Sequence, residues 1–212
     1  MSPSAILAPH AALPLALLET VRILDAPHAD GLDEFHGDLS TKRLGLSRTV
    51  AAQIERFGSA ARANRRVGVD ELVALLRLVA RRPDADLVFT HAGRRAGRLA
   101  GAHASPVARV GVRLLPGGMG RRLGRALIRR QAAHVIGTVL RTGDGQIAAT
   151  ISEAPWVSVI GSDAACAFFG SALAELCRLY SDFDGAMLHV ECLAHGGGAC
   201  VWQSSPLASV PG

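Results

Sequence analysis

The sequence predicts an α+β domain in which several helices pack against an antiparallel sheet of about four strands. Before His134, apolar residues recur mainly at helical spacing. From His134 onward they alternate with polar residues in short runs, a pattern typical of strands. One further helical segment lies between two pairs of these runs, so the order is helices followed by β-β-α-β-β. This order favours helices layered over one face of an antiparallel sheet.

The chain begins with an apolar segment and a polar arm, which we interpret as an N-terminal extension. Ala11–Leu24 could form one apolar helix. Asp25–Thr41 is rich in Asp, His and Gly, which indicates a loop or an irregular arm. We therefore predict an extension over residues 1–45 and a main domain over residues 46–206.

The main domain opens with helices whose ends carry recognisable signals. Ser47 is a candidate N-cap for a helix that runs to Arg65. Val69–Val79 predicts a strongly amphipathic helix that ends near Pro83. Leu87–Thr90 fits either a short strand or the start of the next helix. Residues 91–115 are predicted to be helical, with breaks at Gly101 and Pro106. A basic helix follows from Gly117 to Arg130.

The second half predicts two strand pairs around one helix. The Gly143-Asp-Gly sequence is typical of a tight hairpin turn between the first two strands. Three glycines at positions 196–198 would let the last two strands fold back tightly. The predicted strands are Val135–Thr142, Gln146–Ser152, Ala186–Ala194 and Ala199–Gln203, and the helix is Asp163–Tyr180.

Composition excludes several classes of protein. Hydrophobic residues make up 49% of the chain and aromatic residues only 4%, so Ala, Leu and Val must build the core. No apolar run is long enough to span a membrane, and the apolar N-terminus lacks the basic region of a signal peptide. Four cysteines in 212 residues do not form a secreted disulfide framework. We therefore expect a cytoplasmic protein with reduced thiols.

The positive charge is weak evidence for any particular partner. The formal net charge is +5, and Lys42 is the single lysine. Abundant arginine beside abundant alanine does not by itself indicate nucleic acid, so we expect no nucleic-acid partner. The glycines at 118, 120 and 124 match a dinucleotide fingerprint poorly, because they follow a proline rather than a strand. The basic helix, Arg121 to Arg130, could bind acidic groups of a ligand or acidic partner surfaces, or it could be a solvated helix face.

The most informative motif is a cluster of thiols and imidazoles near the C-terminus. Its order is Cys166-x22-His189-x2-Cys192-x7-Cys200. A tight glycine turn would bring Cys192 and Cys200 together, and the preceding helix could place Cys166 beside them. Three thiolates and one imidazole would close a tetrahedral structural zinc site. The alternative is a set of buried cysteines that binds no metal.

Two geometric checks constrain this cluster. Cys177 lies eleven residues after Cys166 on the same helix, so the two are roughly 16 Å apart and cannot share one metal. His189 and Cys192 have opposite parity in a strand and would point to opposite faces unless a bulge or a strand end intervenes near Glu191. His195 and Glu191 therefore remain alternative fourth ligands.

These residues resemble the end of the 4-vinyl-reductase domain family. The similarity rests on Cys166, on Val190-Glu-Cys-Leu-Ala-His-Gly and on Cys200-Val-Trp, and it extends more weakly over residues 67–204. Since no helix-turn-helix or ATPase domain is attached, the chain is most similar to the stand-alone, J-type members of bacteriochlorophyll synthesis. The resemblance implies a fold like that of nitric-oxide-signalling and Golgi-transport ligand-binding domains, often dimeric, with a hydrophobic molecule held between helices and sheet.

The resemblance also implies a ligand set. In related regulators, three cysteines and one acidic residue hold zinc. Cys166, Cys192 and Cys200 fall on the cysteine positions, and His189 falls on the acidic one. Imidazole is also a good zinc ligand. The resemblance thus favours zinc, and His189 over His195.

From the resemblance we expect a protein that binds a Mg-porphyrin or related tetrapyrrole and carries it between enzymes. Implied partners are the large subunit of magnesium chelatase and the Mg-protoporphyrin methyltransferase, in the cytoplasm or at the periphery of the photosynthetic membrane. Residues 131–138 match an aromatic-rich segment of the J-type proteins but contain no aromatic residue. His134, which lies in this stretch, is a candidate axial ligand or a capped or hydrogen-bonded structural residue. The alternatives are an 8-vinyl reductase, for which no nicotinamide or flavin fingerprint is present, and a sensor domain for an apolar effector.

Overall fold

A computed structural model describes residues 8–26, 45, 47–103, 106–115, 117–143, 146–152 and 163–206. It confirms the α+β class, with helices and a four-stranded antiparallel sheet. Most of the expected polar arm, Asp25–Thr41, lies outside the described residues. The described helices are α1 (Ala12–Asp25), α2 (Arg48–Arg62), α3 (Val69–Ala80), α4 (Ala85–Ala102), α5 (Pro106–Leu114), α6 (Gly117–Gln131) and α7 (Asp163–Tyr180).

The four strands form one sheet whose spatial order differs from their order in the chain. The strands are β1 (Val139–Gly143), β2 (Gln146–Ile151), β3 (Gly185–Glu191) and β4 (Cys200–Pro206). They lie in the order β1-β2-β4-β3, and every neighbouring pair is antiparallel. The last described strand, β4, therefore occupies an inner position, and among the described strands β3 lies at an edge next to it.

Several expected elements are shorter than the sequence predicts. The first strand starts at Val139 rather than Val135, because Ala132–Ile136 continues α6 as a π-helical turn that ends at Gly137. Gly137 has a φ of 79°, a left-handed conformation that glycine adopts without strain. The third strand ends at Glu191, where Leu193–His195 forms a 3₁₀ turn. The Leu87–Thr90 segment belongs to α4, so the helical alternative is the correct one.

The helix α1 lies in the same core as the rest of the domain. Leu13, Leu17 and Val21 are almost fully buried, and α1 packs against α4, α2 and α3. Most of the circumference of α1 is apolar and buried, while Arg22 and Ile23 are exposed. The predicted extension over residues 1–45 thus contributes a core helix, and the domain boundary near residue 45 remains a prediction.

The helices α4 and α7 pack backbone against backbone. A Cβ atom at Gly93 would lie 2.2 Å from the backbone oxygen of Phe168, and one at Gly97 would lie 2.5 Å from that of Ala172. Glycine is required at both positions because the two backbones approach too closely for any side chain. This contact fixes α7, and therefore Cys166, relative to the helical layer.

Among the described residues, no helix combines the length and the apolar character needed to cross a membrane.

Candidate metal centre

Four side chains from three different segments converge at one end of the sheet. Cys166 comes from the first turn of α7, His189 from β3, Cys192 from the residue after β3, and Cys200 from the start of β4. One ligand atom from each residue lies within 4.8 Å of the corresponding atoms of the other three. The three cysteines are buried and His189 is half-buried. These four residues lie close together and could bind a metal.

A β-bulge makes this convergence possible. In the pairing of β3 with β4, His189 lies opposite Trp202, and the next paired residue is Glu191, opposite Val201. Val190 is therefore the extra residue of the bulge, and it shifts the alternation of side chains by one position. The bulge expected near Glu191 is present, and it lets His189 and Cys192 reach the same site.

The distance between two of the sulfurs suits a metal rather than a disulfide. Cys166 Sγ lies 3.9 Å from Cys192 Sγ, and all four cysteines are free. A disulfide would require about 2.05 Å between the sulfurs. Two sulfurs held at about 2.3 Å from a tetrahedral zinc ion lie about 3.8 Å apart. The donor set and this spacing fit zinc.

The surroundings of the thiols favour their neutral form unless a cation is present. Burial, followed by the nearby Cys200 and Cys192, raises the pKa of the Cys166 thiol above its usual range. Burial also raises the pKa of Cys200, and the Leu193 N–H opposes this by donating to Cys200 Sγ at 3.5 Å. That N–H is placed to stabilise a thiolate once a metal displaces the proton.

The glycine turn after β3 is held by its own hydrogen bonds. The Cys192 carbonyl accepts from the N–H groups of His195 at 3.2 Å and Gly197 at 2.9 Å. Glu191 Oε1 accepts from the Gly198 N–H at 2.8 Å. Gly196 has a φ of 83°, which requires glycine for an unstrained turn. The turn orients Cys192 toward Cys200, and the Glu191 carboxylate is bound to the backbone N–H of Gly198.

The geometry therefore favours His189 as the fourth member of the cluster. Neither His195 nor Glu191 belongs to the group of four converging atoms. The His189 ring stacks on Trp202, with ring centroids 5.1 Å apart and planes 25° apart. Trp202 is fully buried. This stacking orients the imidazole. The sequence indicated Trp202 only as part of the Cys200-Val-Trp motif and did not predict this role.

The remaining cysteine, Cys177, is separate from the cluster, as the helix geometry predicts. Cys177 is fully buried on α7, and burial raises the pKa of its thiol to about 12. It is not among the converging ligand atoms. Cys177 is thus an ordinary neutral core residue.

A cleft of about 700 Å³ adjoins the cluster. It lies between α7 and β3 and is lined by residues that include Ala167, Gly170, Met187, His195 and Trp202. The cleft borders the cluster directly, because Cys166, His189 and Cys192 belong to its lining. A second cleft, about 560 Å³, lies among α1, α2 and α4.

His134 belongs to a different group of residues, far from the cysteines along the chain. Its Nε2 lies 2.8 Å from Asn64 Oδ1, which is also 3.0 Å from His10 Nε2. The His10 ring contacts the His134 and His103 rings at centroid distances of 5.5 and 4.8 Å. His134 does not line the 700 Å³ cleft. Its contacts are those of a hydrogen-bonded histidine, and its role as an axial ligand remains a prediction.

The histidine group predicts a pH-dependent stability. His10 is fully buried, its Nδ1 accepts the Ala12 N–H at the start of α1 at 3.1 Å, and burial lowers its pKa to about 4. His103, His134 and Arg66 also oppose a charge there. Between pH 6.5 and 4 the unfolded chain binds a proton at His10 that the folded chain does not. The contribution of neutral His10 to the free energy of unfolding is therefore fully present above pH 6.5. It decreases as the pH is lowered toward 4, by about 2 kcal/mol between pH 7 and pH 5.

Urea unfolding of the wild type and of His10→Asn at both pH values measures this effect. Asn supplies a side-chain oxygen that can cap α1 but does not titrate. The stability difference between the two proteins should shift in favour of His10→Asn by about 2 kcal/mol at pH 5. The same difference at both pH values would show that His10 is not the titrating group.

Comparisons with known proteins add no family. A scan against protein-family models, a search of the curated proteins and a search of the solved structures all give no match.

Proposed function

We propose that this chain is a small-molecule-binding protein whose fold is fastened by a structural zinc ion. The observation that carries the proposal is the convergence of Cys166, His189, Cys192 and Cys200 from three segments of the chain. Three sulfurs and one nitrogen supply all four positions of a tetrahedral zinc ion. Such a site keeps no position for water or substrate, so it supports a structural role rather than a catalytic one.

The zinc ion would add a cross-link to elements that already pack together, since β3 pairs with β4 and α7 contacts β3. It would tie the first turn of α7 to the bulge of β3 and the start of β4. Free energy of metal binding in such sites is also free energy of folding. The wall of the neighbouring cleft would then depend on the metal, because Cys166, His189 and Cys192 line both.

We propose the 700 Å³ cleft between α7 and β3 as the binding site for the small molecule. Its volume lies within the range of ligand pockets, and its walls combine apolar groups with the side chains of Glu191 and His195. A site between a helix and the sheet is also what the resemblance to 4-vinyl-reductase domains implies. On that resemblance we propose a Mg-porphyrin or related tetrapyrrole as the ligand, carried between enzymes of bacteriochlorophyll synthesis.

Titration with Mg-protoporphyrin tests this function. We expect a shift of the porphyrin Soret band that saturates at one ligand per chain. Ala167→Leu should weaken binding about tenfold or more, because the added groups fill the cleft. Ala74→Leu, the same change on the exposed face of α3, should bind as the wild type does.

Each negative result removes a different part of the proposal. An unshifted Soret band would rule out the tetrapyrrole. A shift that Ala167→Leu leaves intact would place the ligand outside the α7–β3 cleft. Turnover of a divinyl substrate with NADPH would instead support the reductase function.

A further inference from the structure

A long part of the chain contains no acidic residue. Between Asp86 and Asp144 there are 57 residues with eleven arginines and neither Asp nor Glu. The whole chain has a net charge of only +5, so the rest of the molecule is net negative. This segment spans α4, α5, α6 and β1. The positive charge is thus concentrated in one part of the fold.

The arginines of α6 are exposed and available to an external partner. Arg95 and Arg98 of α4 pair with Glu19 and Glu175. By contrast, the α6 arginines have no carboxylate partner in the part of the chain that the structure describes. The exposed set is Arg121, Arg122, Arg125, Arg129 and Arg130.

The adjacent helix α5 exposes aliphatic side chains on one face. Val107 is 82% exposed, Val110 53% and Leu114 77%. Their spacing of three and four residues places them in one stripe. Ala108 and Val112 on the same helix pack against the core. The aliphatic side chains of α5 thus extend beyond the side that packs on the core, and an exposed stripe of this kind marks a contact with a second apolar environment.

We propose that α5 and α6 dock this protein on an anionic lipid bilayer. The basic–apolar surface consists of Val107, Val110, Leu114, Met119 and the five exposed arginines of α6. Lipid headgroups offer negative charge to the arginines, and the acyl boundary accepts the aliphatic stripe. Nucleic acid would leave that stripe in water, and residues 106–131 contain no aromatic side chain on which bases could stack. The inference does not depend on the identity of the small molecule.

Sedimentation of the full chain with vesicles tests the docking. Vesicles of equal parts phosphatidylcholine and phosphatidylglycerol should bind at least about tenfold more tightly than phosphatidylcholine alone, and added salt should weaken the binding. Arg122→Gln/Arg125→Gln should lower the affinity about tenfold. The matched pair Arg77→Gln/Arg81→Gln, exposed on and just after α3, should not.

The apolar stripe needs its own variants. Val110→Ser/Leu114→Ser keeps the charge and should lower the affinity about tenfold or more, because two aliphatic groups no longer insert. Ile23→Ser/Leu87→Ser, which changes two exposed aliphatic residues outside the surface, should bind as the wild type does. Because all four side chains are exposed, circular dichroism should be unchanged.

Three results would overturn the proposal. One is the absence of sedimentation with anionic vesicles, and another is equal binding to neutral ones. The third is unchanged vesicle binding by Val110→Ser/Leu114→Ser while light scattering shows a change from dimer to monomer. In that last case the stripe is an interface between two copies of this chain.

Discussion

Replacing Cys200 with serine is expected to abolish zinc binding at the proposed site and to destabilise the whole domain. Cys200 begins the inner strand β4, and its sulfur is one of the four converging ligand atoms. A hydroxyl is a much poorer zinc ligand than a thiolate. We expect zinc to fall from about one ion per chain to near zero. The lost binding energy should cost on the order of 5 kcal/mol of stability, a fall in Tm of about 10–20 °C.

The matched control is Cys177→Ser, the same substitution at a buried cysteine of α7 outside the cluster. It should lower stability by about 1–2 kcal/mol through the buried hydroxyl, with zinc content unchanged. Elemental analysis of both variants, combined with thermal unfolding, separates the loss of a ligand from the loss of core packing. Equal zinc in wild type and Cys200→Ser, or none in either, would contradict the site.

The fourth ligand can be identified in the same experiment. His189→Ala should reduce zinc affinity strongly, because its ring lies in the cluster and is oriented by Trp202. His195→Ala should retain the metal, since His195 lies outside the group of four. The opposite pattern would show that the turn rearranges to bring His195 into the site.

Local sequence patterns predicted most of the elements, because their signals lie within each element. The helix Asp163–Tyr180 has the bounds that its pattern predicts. Ser47 caps α2 as expected, since its Oγ accepts the Val50 N–H at 3.2 Å. The two hairpins follow from alternation and glycine-rich turns, although turn residues 144–145 lie outside the described region.

Features set by contacts between distant segments could not be predicted in this way. The strand order β1-β2-β4-β3 depends on which strands pair across the sheet, and no local period carries that information. The π-helical turn at Ala132–Ile136 occupies residues whose apolar pattern also fits a strand. The burial of α1 follows from its packing on α4. The interpretation of residues 1–45 as an extension did not predict this contact.

For the candidate site as well, local spacing was predictive and contacts between segments were not. Thiol and imidazole spacing identified the cluster, and helix rise excluded Cys177. The parity conflict between His189 and Cys192 showed that a bulge was needed, but only the pairing of β3 with β4 places it at Val190. The stacking of Trp202 on His189 and the hydrogen bond from the Leu193 N–H to Cys200 could not be predicted from the sequence, because both depend on how two strands face each other.

Replacing Gly93 with alanine is expected to lower stability by about 3 kcal/mol, a fall in Tm of about 6–12 °C. The new Cβ would lie 2.2 Å from the Phe168 carbonyl oxygen and 2.7 Å from Ser171 Cβ. Since the closer obstacle is backbone, α4 and α7 must separate, and the preference of alanine for helices recovers only about 1 kcal/mol. Gly118→Ala is the matched control, because nothing lies within 4 Å of its Cβ and its stability should change by less than about 1 kcal/mol.

The position of the clash should also link the helix packing to the metal centre. Phe168 lies two residues after Cys166, so moving this turn of α7 shifts a ligand, whereas Gly97 faces Ala172 a full turn further along. We expect a chelator to remove zinc faster from Gly93→Ala than from Gly97→Ala when the two are compared at equal stability. Equal rates would mean that the zinc, rather than the contact between α4 and α7, fixes Cys166 in place.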